Sequence, residues 1–234
     1  LFGPLMVMGA PMSYWAGGSL LNPMRYSGAT LGGAWLAALS SDLGANRFDG
    51  AYLVENFEKL NPANSLWGKY HRLWSEVDTE AERFLEFERW WGGFFRMSGP
   101  EIEAIVENLF VGNRLARGQV MAGDDRVDLR NITSPVVVFA SWGDNITPPP
   151  QALNWIIDVW GDERAIAAAG RVIIYVLHEK VGHLGIFVGA DVARKEHDQI
   201  VNAVDVIAHL PPGLYEMKLR LKDGQEVAHG DPLE

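Results

Sequence analysis

The sequence predicts an α/β fold with a mostly parallel sheet. Three observations carry the prediction. Residues 136–139, VVVF, form a short, wholly apolar, β-branched run, which suits a strand buried on both faces of a parallel sheet. Residues 172–177, VIIYVL, repeat that pattern. After each run the chain breaks in a loop and then turns helical, the alternation of a parallel sheet with crossover helices. The first loop carries Gly143-Asp144 ahead of Pro148, Pro149 and Pro150, and proline is tolerated in the first turn of a helix. The second carries Gly182-His183. Sites in open α/β sheets are built at that edge, beyond the C-terminal ends of the strands.

The remaining elements follow in chain order. Residues 5–9, LMVMG, read as a short buried strand between Gly3-Pro4 and Ala10-Pro11. Residues 13–33 are rich in glycine but lack the G-x-G-x-x-G and G-x-x-x-x-G-K-[ST] spacings of phosphate cradles, so they read as a long loop. From Asp49 to about Arg117 the pattern is helical. Leu53, Val54, Phe57 and Leu60 recur at helix spacing. Thr79 with Glu82, and Ser98 with Glu101, have the spacing of capping boxes, and Gly92-Gly93 and Gly112-Asn113 are stop signals. So many helices between two strands exceed a simple crossover, and they read as a cap over the sheet edge. Residues 67–95 hold nine aromatic side chains apart from histidine, among them Trp90 and Trp91, enough to line an apolar pocket as well as to pack. Leu153, Ile156, Ile157 and Trp160 mark an amphipathic helix. Asp191 is placed to cap a last helix bearing Ile200, Val201, Val204 and Ile207. Tyr215, Met217, Leu219 and Leu221 then alternate with polar residues and predict a hairpin or the start of a further domain. The expected organisation is a core segment at 1–48, a helical cap at 49–118, core again at 119–213, and the hairpin or new domain at 214–234.

Composition narrows the partners. The 234 residues carry a formal charge of −10, which argues against nucleic acid and anionic membranes. No apolar run is long enough to span a membrane. With no cysteine there is no disulfide, thiolate metal site or Cys nucleophile within these residues, and a cytoplasmic location is expected. No H-E-x-x-H or comparable ligand spacing occurs, so neither metal nor cofactor is expected. The opening LFGPLMVMGAPM starts with Leu1, not Met, has no basic n-region, and reads as the middle of a longer protein.

A lone Asp in a W-G-D-N loop is more often a turn former than a catalyst, and a lone Gly-His more often a satisfied loop histidine. Their joint placement at two successive strand ends changes that. An acid followed by a histidine is the second half of a nucleophile, acid, base triad in the chain order of α/β-hydrolases. Asp144 is the candidate acid and His183 the candidate base. His178, at a strand end where the pleat fixes its direction, ranks behind His183, and His71, His197, His209 and His229 are weaker still. Trp15, Trp90, Trp91 and Trp142 are candidates for an apolar substrate pocket.

Residues 109–151 resemble the acid-bearing segment of poly(3-hydroxyalkanoate) synthases. Asp128-Leu129-Arg130-Asn131-Ile132 is similar to the family's "D-L-(K/R)-x-I" lead-in, Asp144-Asn145-Ile146-Thr147-Pro148 to its "D-x-I-x-P", and Val181-Gly182-His183-Leu184 to its "S-G-H-I". GAPMSYWAG and NFEKLNPANSLWGKY look closer still to an uncharacterised bacterial branch of synthase-like α/β-hydrolases. The resemblance implies the C-terminal half of an α/β-hydrolase fold with a helical cap insertion, Asp144 as triad acid, His183 as base, and acyl transfer or hydrolysis on a hydroxyacyl ester or thioester. That family's nucleophile lies in a G-x-C-x-G elbow, and neither that motif nor G-x-S-x-G occurs here. The implied partner is a small acyl ester or thioester. The alternative is a hydrolase-fold module that binds or scaffolds without turnover.

Overall fold

The computed structural model describes residues 3–16, 30, 32–59, 61–188 and 198–218. Among them one four-stranded sheet, all parallel, has the order β1 (Leu5–Met8), β6 (Val136–Ser141), β7 (Val172–His178), β8 (Gly213–Glu216). The central strand shows why the apolar run is continuous. All six residues of β6 are buried, because successive side chains enter different cores. Val136, Val138 and Ala140 pack with Ala152, Trp155, Ile156 and Ile166 on one face. Val137 and Phe139 pack with Ile174, Val176, Ile186, Ile200 and Ile207 on the other. Val137, Val138 and Phe139 have no exposed surface, and burial of each contributes roughly 1.5–3 kcal/mol. This layering, helices on both faces of a parallel sheet, is consistent with part of an α/β-hydrolase fold.

One expectation about strands is corrected. Residues 5–8 form the expected strand, but Leu5 and Met6 are 44% and 36% exposed. Among the described residues β1 has a neighbour on one side only, so less of its surface is covered. The far arm of the expected hairpin lies outside the described residues. Residues 213–216 join the main sheet parallel to β7, with the Gly213 N–H donating to Arg171 O and the Met217 N–H to Tyr175 O. The alternation signalled a strand correctly, but alternation does not choose a partner. The rest of the tail beyond Met217-Lys218, much of the glycine-rich stretch, and the Asp191 cap lie outside the described residues.

The chain divides into two compact units, Leu1–Gly33 with Glu107–Leu233, and Ala34–Val106. The second unit holds helices α1 (Trp35–Leu43), α2 (Ala51–Glu58), α3 (Lys69–Ser75), α4 (Val77–Trp91) and α5 (Gly99–Ile105), with a two-stranded antiparallel sheet of β2 (Arg47–Asp49) and β3 (Arg96–Ser98). The capping box of Ser98 and Glu101 is present at the start of α5, with Pro100 in its first turn. The one read from Thr79 and Glu82 is not. Helix α4 starts three residues earlier, at Val77 with Glu76 as its N-cap, so the Thr79 hydroxyl sits inside the first turn and donates back to Glu76 O. Lys69 binds Glu58 and Glu88 at 3.1 and 2.9 Å and so ties α2, α3 and α4 together. Burial pushes its ammonium pKa down, but the hydrogen bonds and charges of the two glutamates outweigh this and hold it above the ordinary value. Trp67, Trp74 and Phe95 in this unit are 75%, 79% and 86% exposed.

In the first unit a two-stranded turn, β4 (Val120–Ala122) and β5 (Asp125–Val127), precedes the lead-in to β6. Gly123 supplies the positive φ, +64°, that its tight turn needs. Asp128 then caps a short 3₁₀ turn, Leu129–Asn131, by accepting from the Arg130 N–H, and its carboxylate also meets the Arg130 guanidinium. The guanidinium hydrogen bonds, then the backbone N–H, hold the Asp128 pKa down at about 2. Among the described residues no helix is long and apolar enough to cross a membrane.

Candidate active site

Strands β6 and β7 are adjacent and parallel, so their C-terminal ends open at the same edge of the sheet. Beyond β6 the chain turns tightly. The Asp144 N–H donates to Ser141 O, the Gly143 N–H to Ser141 Oγ, and the Trp142 N–H crosses to His178 O at 2.9 Å. Asp144 is 1% exposed. Its Oδ1 accepts the N–H groups of Ile146 and Thr147 at 2.9 and 2.8 Å, winding the chain into helix α6 (Pro149–Trp160), which starts behind Pro148. Its Oδ2 lies 2.9 Å from His183 Nδ1, across 39 positions of sequence. A buried carboxylate is costly unless it is hydrogen-bonded and paired, and this one is both.

Beyond β7, residues 179–182 lead to helix α7 (His183–Val188), which His183 opens. A carboxylate can only accept, so Nδ1–H of His183 donates to Asp144, and in the neutral ring Nε2 then keeps its lone pair. The ring stands edge-on to Phe187, with centroids 5.8 Å apart. The end of β1 closes the other side. Gly9 has φ +56°, and a Cβ there would lie 3.2 Å from His183 Cε1 and 3.3 Å from Phe187 Cζ. Glycine therefore gives both the turn and the room for the imidazole.

Asp144 and His183 are brought together. Trp142, beside the acid in sequence, is 64% exposed. Trp15 donates its indole N–H to Val111 O and lines a hollow of about 400 Å³ with Ser13, Asn113, Arg117, Asn154 and Asp158; neither member of the Asp–His pair lines it. Ser13, itself buried, donates to Asp158 there at 2.5 Å. Trp90 and Trp91 belong to the second unit. Trp91 stacks on Phe87 and donates to Glu58, while Trp90 is 55% exposed. Sequence reasoning missed the backbone donors of Ile146 and Thr147, although Asp followed by a polar turn residue is their signal. Among the described residues no group of three or more His, Cys, Asp or Glu could hold a metal ion.

The chain matches, over residues 1–232, the family model described as a protein of unknown function, DUF3141. A Rhizobium meliloti protein, described as an uncharacterized protein in the ackA 5′ region, is 59% identical over 220 residues, which are 94% of this chain and 30% of that protein. Poly(3-hydroxyalkanoate) polymerase subunit PhaC of Synechocystis sp. is 29% identical over 195 residues, 81% of this chain and 48% of the subunit. The PhaC subunit of Thiocystis violacea is 25% identical over 199 residues, 82% of this chain and 49% of the subunit. The chain thus spans less than half the length of each of these relatives. No solved structure matches it. It is a distant homologue of the polymerase subunits over much of its length, and by the match of nearly all its residues it belongs to the DUF3141 family.

Proposed function

We propose that Asp144 and His183 are the acid and base of an acyl transfer or ester hydrolysis, acting on a hydroxyacyl ester or thioester. The observation that carries the reading is the 2.9 Å contact between a fully buried carboxylate and His183 Nδ1 at two adjacent strand ends. The kinship with poly(3-hydroxyalkanoate) polymerase subunits supports the substrate class. In the proposed reaction His183 Nε2 takes the proton of a thiol or hydroxyl as that group attacks the acyl carbonyl. The bond from the carbonyl carbon to the leaving sulfur or oxygen breaks, and the proton passes from Nε2 to the leaving group. Asp144 fixes the ring and stabilises the imidazolium formed between the two transfers. The nucleophile is assigned to no residue of this sequence.

The test is turnover of a short-chain nitrophenyl ester and a 3-hydroxyacyl thioester by the protein expressed with its full natural coding sequence. With His183→Gln the rate should fall by about 10³-fold or more, as it does when one member of such a unit is lost. A His183→Gln rate equal to wild type would remove the reading. A wild-type protein that binds the thioester without turning it over would favour the binding module instead.

A further inference from the structure

His178 closes β7, and His183 opens the next helix after only the 179–182 loop. His178 Nδ1 accepts two backbone N–H groups of that loop, from Lys180 and Val181, both at 3.1 Å. The arrangement repeats the one at the other strand end. There Asp144 Oδ1 accepts from Ile146 and Thr147, again the second and third residues onward. In both loops a δ1 atom winds the following backbone into a turn, the geometry of an Asx-type motif. A ring nitrogen that accepts two N–H groups keeps its lone pair and carries no proton. His178 Nδ1 is therefore committed to the loop.

The wound loop seats against the acid loop at Gly143. A Cβ on Gly143 would lie 2.1 Å from Lys180 O, 2.4 Å from Lys180 C and 2.9 Å from Val181 O. These are backbone atoms, which cannot swing aside as a side-chain tip would. The Trp142 N–H bond to His178 O pins the same junction from the strand side. Two contacts thus join the loops, one through the His178 backbone carbonyl and one permitted by the missing side chain of Gly143, while the His178 ring holds the shape of its own loop.

From this we infer that His178 is a positioning residue: it holds residues 179–182 in the turn that seats on Gly143 and so sets His183 within hydrogen-bond reach of Asp144. The functional weight of the inference rests on the acid–base reading of that pair. The role is local and works through the two hydrogen bonds to Nδ1, and it differs from plain support of the fold in what a substitution does to His183.

The experiment compares His178→Phe, which keeps a ring but has no acceptor, with His178→Asn. Asparagine Oδ1 branches from Cγ as histidine Nδ1 does, and so can take the same two N–H groups. The protein is expressed with its full natural coding sequence. The first readout is the solvent-exchange rate of the His183 Nδ1 proton by NMR, and the second is the split between kcat and KM on a nitrophenyl ester. His178→Phe should speed exchange by at least about tenfold and lower kcat by about 10- to 100-fold at nearly constant KM, the loss expected for a base displaced by about 1 Å. His178→Asn should return both toward wild type. A folded His178→Phe protein with wild-type exchange overturns the inference, as does a His178→Asn protein as impaired as His178→Phe. Gly143→Ala, which attacks the seat while leaving His178 intact, is the second route should His178→Phe not fold. It should speed exchange too, and a folded Gly143→Ala protein with wild-type exchange overturns the inference equally. Failure of the acid–base reading looks different: Asp144→Asn keeps the wild-type rate, while the exchange measurement still reports on the clamp.

Discussion

At the scale of single residues, the two oxygens of Asp144 have different work. Oδ1 builds the turn into α6, and Oδ2 orients His183. Two substitutions should separate these roles. Asp144→Asn keeps an acceptor at the Oδ1 position, so the turn persists, but an amide does not stabilise the imidazolium. Its activity should drop by about 10⁴-fold with little loss of stability. Asp144→Ala leaves the Thr147 N–H without its partner in a buried site and should also destabilise the fold by about 2 kcal/mol, read from the denaturant midpoint. Equal stability of the two variants would show that Oδ1 does not hold the turn. The meeting of Asp144 and His183 was legible in the sequence because each follows an apolar run at a chain break. The part played by His178 was not. The pleat ranked it behind His183, but which backbone donors its ring nitrogen receives depends on the path of the loop.

At the scale of elements, strand β6 was legible because a parallel central strand needs apolar side chains at every position, not at alternate ones. The Ser98–Glu101 cap was legible because its reciprocal hydrogen bonds are local. The start of α4 and the partner of β8 were not, since each depends on where a neighbouring segment arrives. The D-L-R lead-in to β6 is also local, and it makes a pH prediction. With its folded pKa held down near 2, against an ordinary value of 3.8, Asp128 binds its proton less readily folded than unfolded. Its contribution is therefore complete above 3.8 and is lost as the pH falls through about 2. The pair is exposed, so that contribution is at most about 1 kcal/mol. Melting wild type and Asp128→Asn in parallel should show a small Tm gap at neutral pH that closes between pH 4 and 2. A gap that stays constant over that range would mean the Arg130 contact does not stabilise the lead-in.

At the scale of the whole molecule, successive parallel strands joined by a helix on one face come to lie side by side, which is why an acid after β6 and a histidine after β7 meet. That logic is readable from order alone, and the observed order β1-β6-β7-β8 follows it. The edges of the sheet were less legible: β1 is more exposed than its apolar sequence suggests, and β8 joins this sheet beside β7. The division into units was read from helical pattern, whereas contacts group Ala34–Val106, starting ahead of the first periodic helix, because β2 pairs with β3 and α1 packs against α5 and β2. The acid–base reading makes Asp144 and His183 a single working unit, and units of this kind are strongly non-additive. The most direct measurement is a double-mutant cycle in kcat/KM on the hydroxyacyl thioester, with Asp144→Asn, His183→Gln and both together. If the two act as one, the double variant should be no slower than His183→Gln alone, within about twofold. Losses that multiply, so that the double variant falls by the product of the two singles, would show that Asp144 and His183 act independently and would contradict the pairing as the source of catalysis.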